Sequence, residues 1–392
     1  MHSGHPMSCD DSSIPSSQRT LTQPPAPRHG LPWRRAACRL GAAMAARVAL
    51  LTPFASPSVR GNAITVERIA RGLRARGVEL RVWDLSVAAE ASMERQVAQY
   101  APTLVHAFHA YRAGPLALRL ARQAEIPLLV TITGTDVNHD LFDPERAQVV
   151  RRVLEGAAAV TVFDPSMAAR IVQALPDMAA RVTAVPQSAF FEVAANAWAP
   201  ALALRRAPGP ILLFPGGIRM VKNPLFPLEP LDGLTPEYPG MELLYVGPIL
   251  DPGEGEKLLR ALGSRRWARH LGAVPHARMR ALLEATDVVL NCSISEGGMA
   301  NSVLEALALG RAVLASNIDG NRSLVEDGVT GFLFDGPAEF AEKCGRLLAE
   351  PDLRQRLGEA GRERVHVRFS AEREMDGYLG VYGRLAPALR PA

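Results

Sequence analysis

From residue 47 onward the chain alternates short apolar runs with longer stretches in which apolar residues recur every three or four positions. Short runs bounded by turn residues read as buried strands, and the longer period reads as amphipathic helix. Strands are expected at 48–51, 80–83, 103–107, 128–132, 159–163 and 182–185, with helices such as 64–76 and 114–123 between them. Strict alternation of this kind implies right-handed crossovers and a parallel sheet covered on both faces. The pattern lapses over about 189–210, where prolines accumulate without a period. It resumes with strands at 211–214, 242–246, around Leu271, 288–290, 312–315 and 331–334, and with helices at 278–285 and 338–348. A last helix, 371–385, carries Met375, Tyr378, Leu379 and Tyr382 at helical spacing. The expected architecture is α/β, two Rossmann-like doubly wound domains in tandem, whose default ligand site is the cleft between them. The expected division is a disordered tail at 1–43, an N-terminal domain at 44–190, a linker at 191–209, a C-terminal domain at 210–370 and a C-terminal helix at 371–392 that crosses back to the N-terminal domain.

Composition leaves that picture in place and narrows the partners. An apolar fraction of 48% and a charged fraction of 21% are those of an ordinary globular chain with material for two cores. The formal charge of +4 is spread along the chain rather than gathered in blocks, so nucleic acid is not an expected partner and membrane contact is peripheral at most. The four cysteines, Cys9, Cys38, Cys292 and Cys344, have neither metal-ligand nor redox spacing, which points to free thiols in a reducing, cytoplasmic compartment. Cys292 reads as a small core residue at a strand end. The tail is rich in Ser, Pro and Arg; its Arg34-Arg35 pair lacks the apolar core of an export signal, and Met44 is an alternative start. No run is long and apolar enough to span a bilayer.

Chemistry concentrates at 291–310, NCSISEGGMANSVLEALALG, which reads as a strand end, a glycine loop and a helix start. Gly297 and Gly298 allow backbone to approach a ligand, and a helix beginning near Asn301 points unpaired N–H groups at the same place. Glu296 and Glu305 bracket that anion site, and carboxylates there suit hydroxyl-bearing ligands such as sugar and ribose. After the first strand of the second domain, GGIRMVKNP places Arg219 and Lys222 three residues apart, where they can straddle a diphosphate. The turn at 57–62 after the first strand contains Gly61 but is not GxGxxG, and Asp84 is the nearest acidic residue after the second strand. A single nucleotide is therefore expected before a dinucleotide, which disfavours a nucleotide-dependent oxidoreductase.

These segments, together with RAVLASNIDGNRSLVEDGVTGFLF, resemble the retaining nucleotide-sugar glycosyltransferases of family 4, with the GT-B fold. Within that family, GNAITVERI, HAYRAG and TGTDVNHD resemble the branch typified by glycosyltransferase 1 domain-containing protein 1. The resemblance implies metal-independent transfer from a nucleotide diphosphate sugar, UDP-linked, with no cofactor beyond that donor, an acceptor-side N-terminal domain and a donor-side C-terminal domain. It assigns Arg219 and Lys222 to the pyrophosphate, Glu305 to the ribose hydroxyls, and Glu296 to the transferred sugar. The backbone of Gly297, Gly298 and Met299 lies by its hydroxyls and phosphate, and Gly61 lies in a loop facing the diphosphate. Two departures stand out. Eight residues separate Glu296 from Glu305 where the family has seven, and Thr131-Ile132-Thr133-Gly134 lacks the usual histidine, which shifts acceptor-side work to Asp136 or His109. The bland alternatives are that His106 and His109 are strand-end histidines satisfied by backbone, and that the protein binds sugar nucleotides without catalysis. No motif identifies the acceptor or an oligomeric state.

Overall fold

A computed structural model describes residues 46–56, 58, 61–191 and 208–389, and within them two six-stranded parallel sheets. The first contains β1 (Arg47–Thr52), β2 (Glu79–Asp84), β3 (Leu104–Phe108), β4 (Leu128–Thr131), β5 (Ala159–Val162) and β6 (Val182–Ala184), in the order β2-β1-β3-β4-β5-β6. Its connections are α1 (Gly61–Ala75), α2 (Glu90–Tyr100), α3 (Gly114–Ala124), α4 (Ala147–Gly156) and α5 (Pro165–Ala174). The second contains β7 (Ile211–Pro215), β8 (Glu242–Val246), β9 (Ala268–His270), β10 (Val288–Asn291), β11 (Ala312–Ser316) and β12 (Phe332–Phe334), in the order β12-β11-β10-β7-β8-β9. Around it run α6 (Leu228–Asp232), α7 (Pro252–Leu262), α8 (Met279–Glu284), α9 (Asn301–Ala308), α10 (Asp319–Arg322), α11 (Pro337–Ala349) and α12 (Pro351–Arg368), and the chain then turns into α13 (Ala371–Leu385). Central strands such as β3, β4 and β10 are buried at every position, because helices cover both faces of a parallel sheet.

Most expected elements fall within a few residues of their positions. The strand expected around Leu271 ends at His270 instead, since its paired residues are Ala268, Arg269 and His270, only one of them apolar. The helix expected from residue 64 starts at Gly61. The tail expected at 1–43 and nearly all of the linker expected at 191–209 lie outside the described residues.

In each sheet the strand order reverses once, between β1 and β3 and between β7 and β10. Loops leaving the carboxyl ends of strands diverge at such a point and open a crevice. The 216–222 loop leaves β7 and the 292–300 loop leaves β10, so both glycine-containing loops flank the crevice of the second sheet. Opposite them stand the start of α1 at Gly61 and the segment after β4 at Gly134 and Asn138.

Helix α13 lies on the first sheet's side, against α1. Its Met375, Tyr378 and Tyr382 are buried, and Arg68 of α1 holds Glu374 through two hydrogen bonds, Nε to Oε2 and Nη2 to Oε1, each 2.9 Å. Ser188, just past β6, donates its hydroxyl to Glu374 at 2.6 Å. A buried ion pair with this many hydrogen bonds registers a helix firmly even where its net stability is small.

Beneath it, His106 of β3 is fully buried between Tyr382 Oη at 2.8 Å and Thr131 Oγ1 at 2.6 Å. Burial lowers its pKa to about 3 from 6.5, so it is a neutral core residue. A base whose pKa is lowered by folding favours the native state fully above its unfolded value and loses that contribution as pH falls. Stability should therefore drop by about 1.4 kcal/mol per pH unit below roughly 6.5 on this residue's account. Urea midpoints of wild type and His106→Gln at pH 7.5 and pH 5 test this: the variant should show the shallower pH slope, and equal slopes would assign the acid sensitivity elsewhere.

Candidate active site

The two loops that leave β7 and β10 are tied by a backbone hydrogen bond from Ile294 N–H to Val221 C=O, 2.9 Å. This brings Lys222, at the end of a short 3-10 turn, against Glu296, and the two form an ion pair. The same Glu296 Oε1 accepts from Ser293 Oγ at 2.6 Å and from Asn291 Nδ2 at 3.0 Å. Burial pushes the Glu296 carboxyl upward, but the Lys222 ammonium and the two hydrogen bonds outweigh it and leave the group below its ordinary range. Arg219, at the start of the same turn, is exposed and has no ion-pair partner among the described residues. One cation is thus docked on a carboxylate, and the second reaches into open solvent beside it.

Glu305 sits in the second turn of α9 and is buried. Its Oε1 lies 3.0 Å from His276 Nε2, and the ring of Phe190 stacks on that imidazole at a centroid distance of 5.7 Å. His276 follows β9 and Phe190 follows β6, so neither adjoins the glutamate in sequence. Sequence reading missed both. The signal available was an aromatic pair, Phe190-Phe191, in an otherwise aperiodic stretch, and a lone histidine after a proline at a strand end.

On the opposite side, the segment after β4 makes a single π-helical turn, Asp136–Asp140, closed by Leu141 N–H to Asp136 C=O at 3.0 Å. Such turns insert one residue into helical geometry and are frequent at functional sites. Asp136 is fully buried, and its carboxylate accepts the N–H groups of Ala110 at 3.0 Å, Thr133 at 3.2 Å and Gly134 at 2.7 Å. His109 has φ of 78°, a strained value for a residue with a side chain. Its Nδ1 accepts from Arg112 N–H at 3.4 Å, and its Nε2 then donates to Thr135 Oγ1 at 3.0 Å. Burial and Arg112 lower its pKa against the pull of Asp136 and Asp140. The bland alternative for the two histidines needs revision, since His106 is held by side chains and His109 by one hydroxyl and one amide.

The two sides touch. Asn138 Nδ2 donates to Glu296 C=O at 2.7 Å, and Gly134 packs directly on Gly297, with a φ of 126° that only glycine adopts readily. A Cβ on either glycine would overlap the other's backbone. Asn301 at the start of α9 donates to Gly61 C=O at 3.4 Å and to Thr65 Oγ1 at 3.3 Å. Gly61 is therefore the first residue of α1 rather than part of the preceding loop, and its carbonyl meets the other domain. Gly298 and Met299 are buried, Met299 Sδ accepting from Gln187 N–H at 3.4 Å. Among the described residues no group of three or more His, Cys, Asp or Glu is placed to hold a metal ion, and no helix is long and apolar enough to cross a membrane. Cys292 and Cys344 are buried thiols whose pKa burial raises, Cys344 to about 12, so neither is a nucleophile.

Two family models match the chain, a glycosyl transferase 4-like domain over residues 33–187 and glycosyl transferases group 1 over residues 203–364. Glycosyltransferase 1 domain-containing protein 1 of Xenopus tropicalis is 27% identical over 324 residues, 81% of this chain and 92% of the relative. Trehalose synthase of Pyrococcus horikoshii is 35% identical over 155 residues, 38% of this chain and 37% of the relative. Among solved structures, sucrose-phosphate synthase of Thermosynechococcus elongatus superposes with a TM-score of 0.71 at 21% identity, covering 88% of this chain and 100% of that one. HepE of Anabaena, in complex with UDP and glucose, also gives 0.71, at 17% identity, covering 87% of this chain and 100% of that one.

Proposed function

We propose that this chain, a glycosyltransferase with the GT-B fold, moves a sugar from a UDP-linked donor to an acceptor hydroxyl, with retention and without a metal. The observation that carries the reading is the Lys222–Glu296 pair beside exposed Arg219, where the strand order of the second sheet reverses. Residues 210–370 are the donor side and 44–190 the acceptor side. Free cysteines and the absence of any spanning helix among the described residues are compatible with a cytoplasmic protein.

When the anomeric carbon–oxygen bond breaks, both bonding electrons stay on the diphosphate. Arg219 and Lys222 neutralise that charge in a partly dry site, where fixed cations need no reorganisation. Lys222 turns from Glu296 toward the phosphate, and the released carboxylate is left facing the sugar hydroxyls, held by Ser293 and Asn291. The backbone of Gly297, Gly298 and Met299 follows those hydroxyls. The acceptor oxygen bonds to the anomeric carbon from the face the diphosphate leaves, and its proton passes to a departing phosphate oxygen. Glu305 accepts from the ribose hydroxyls with His276 fixing its orientation, and Phe190 closes the nucleoside end. Asp136 and His109 are positioning residues: their polar atoms are occupied by the loop they shape, and that loop sets Gly134 and Asn138 against the 296–297 backbone.

A thermal-shift panel of nucleotide sugars tests the donor, since a ligand at a hundred times its Kd stabilises by about 2.7 kcal/mol. UDP-glucose and UDP should both raise the melting temperature, and turnover should be unchanged by EDTA. Glu305→Gln should weaken UDP by about 1–3 kcal/mol, the worth of a charge-assisted hydrogen bond lost. Glu296→Gln should leave UDP affinity near wild type and lower kcat, because contacts to the sugar tighten as the bond breaks. Titration of UDP against both variants separates the two carboxylates; the reverse pattern exchanges their roles, and no effect in either removes the donor site from this loop.

A further inference from the structure

Past Glu296 the cleft continues away from the nucleotide end. In the second sheet, Lys222 and His276 follow β7 and β9 on one side of β10, whereas Asp319 and Arg322 follow β11 on the other. There, between α5 and α10, lies an open pocket of about 260 Å³ whose walls include the Glu296 loop. Its polar groups form a connected set. Arg170 of α5 donates from Nη2 to Asp319 Oδ2 at 3.1 Å and from Nη1 to Asn138 Oδ1 at 2.9 Å. Arg322 pairs with the other oxygen of the same Asp319 and donates from Nη1 to Asn317 Oδ1 at 3.0 Å. Two guanidinium groups thus share one carboxylate, which leaves one of their charges over, and the Glu296 carboxylate is turned to Lys222, Ser293 and Asn291 rather than to either arginine.

A positive charge left over between two domains, on side chains 34% and 49% exposed, is incompletely solvated and incompletely paired. Guanidinium groups held by hydrogen bonds at their other nitrogens offer a preorganised fork to an anion. We propose that this pocket seats an anionic group, phosphate or carboxylate, carried by the acceptor. The inference rests on the glycosyltransferase reading: with UDP on the β7–β9 side and the sugar at Glu296, this is the part of the cleft that the donor leaves open. Asn138 bridges the pocket to the Glu296 carbonyl, so occupancy at one end is felt at the other.

The test is calorimetric titration of inorganic phosphate, and separately of acetate, into protein saturated with UDP so that the diphosphate site is filled. Saturable binding is expected, weakened at least tenfold in Arg322→Glu, while the melting shift given by UDP serves as the control on the donor half. A panel of phosphorylated, carboxylated and neutral hexoses is then offered with UDP-glucose, and products are read by mass spectrometry. Transfer is expected to the anionic members, and Arg322→Glu should raise their KM at least tenfold. Absence of saturable binding of either anion, binding that Arg322→Glu leaves unchanged, or transfer to neutral members at equal or higher rates overturns the inference. A protein that UDP itself fails to stabilise overturns the donor reading instead, so the two failures are distinguishable.

Discussion

Lys222→Met is expected to lower kcat on a nucleotide sugar by about 10²–10³-fold, the usual cost of removing one group that meets the charge developing in the transition state. The fold should also suffer. Lys222 and Glu296 are only 14% and 9% exposed, and breaking a buried pair from one side costs about 3–5 kcal/mol because the remaining charge is stranded. With its ammonium partner gone, the Glu296 carboxyl loses its main downward pull and burial drives it toward the neutral acid. The double variant Lys222→Met/Glu296→Gln removes the stranded charge, so melting should return toward wild type while turnover stays low. In wild type the pair acts in the opposite sense to an acid group freed of its partner: a carboxyl depressed by folding contributes stability above its unfolded pKa and loses it as pH falls through the folded value. Steady-state kinetics and melting curves of the three proteins check this, and full turnover in Lys222→Met would move the diphosphate elsewhere.

Gly134→Ala is the second large effect expected. The new methyl group has nowhere to go but into the Gly297 backbone, and its φ of 126° is strained for alanine besides. The domains must part locally, and the Asn138 bond to the Glu296 carbonyl lengthens with them. Displacements of about 1 Å at a reacting centre cost on the order of 10²-fold in rate, so kcat/KM should fall by roughly that factor. UDP affinity should change less than turnover, because Arg219, Lys222 and His276 follow β7 and β9 and Glu305 sits a full turn into α9, away from the 134–297 contact. Gly297→Ala should reproduce the loss from the other domain. Normal turnover in both variants would mean that these loops stand apart in the working enzyme.

Much of the fold was legible because the central strands are short apolar runs with their own turn residues, and burial on both faces removes the ambiguity of alternating patterns; edge strands such as β9, with one apolar residue in three, were read less closely. The two glycine loops were legible for a related reason: Arg219, Lys222 and Glu296 follow the ends of β7 and β10 by four to seven residues, with Glu305 in the helix that comes next, and strand ends are where such sheets bind ligands. What resisted reading were relations between segments. His276 and Glu305 are 29 positions apart and meet only because β9 and α9 belong to one sheet's rim. Asp136 carries no sign in TGTD that its oxygens are consumed by three backbone N–H groups, since that depends on a π turn no periodicity announces. Gly134 looks like an ordinary turn glycine, and Gly297 like one that admits a ligand, until two separate domains are placed face to face.

The Arg68–Glu374 pair joins residues 306 positions apart, and that separation sets a timetable. While the chain is being synthesised, the first sheet is complete in strands long before Glu374, Tyr378 and Tyr382 exist to close it. At ribosomal rates of about 5–20 residues per second, the interval between Arg68 and its counter-ion is roughly 15–60 s. Throughout it a guanidinium destined for burial stays in water and the apolar seat over His106 stands open. The N-terminal domain therefore finishes folding only after the C-terminal one has been made, and the nascent chain spends its most aggregation-prone period with the first domain waiting for the last helix.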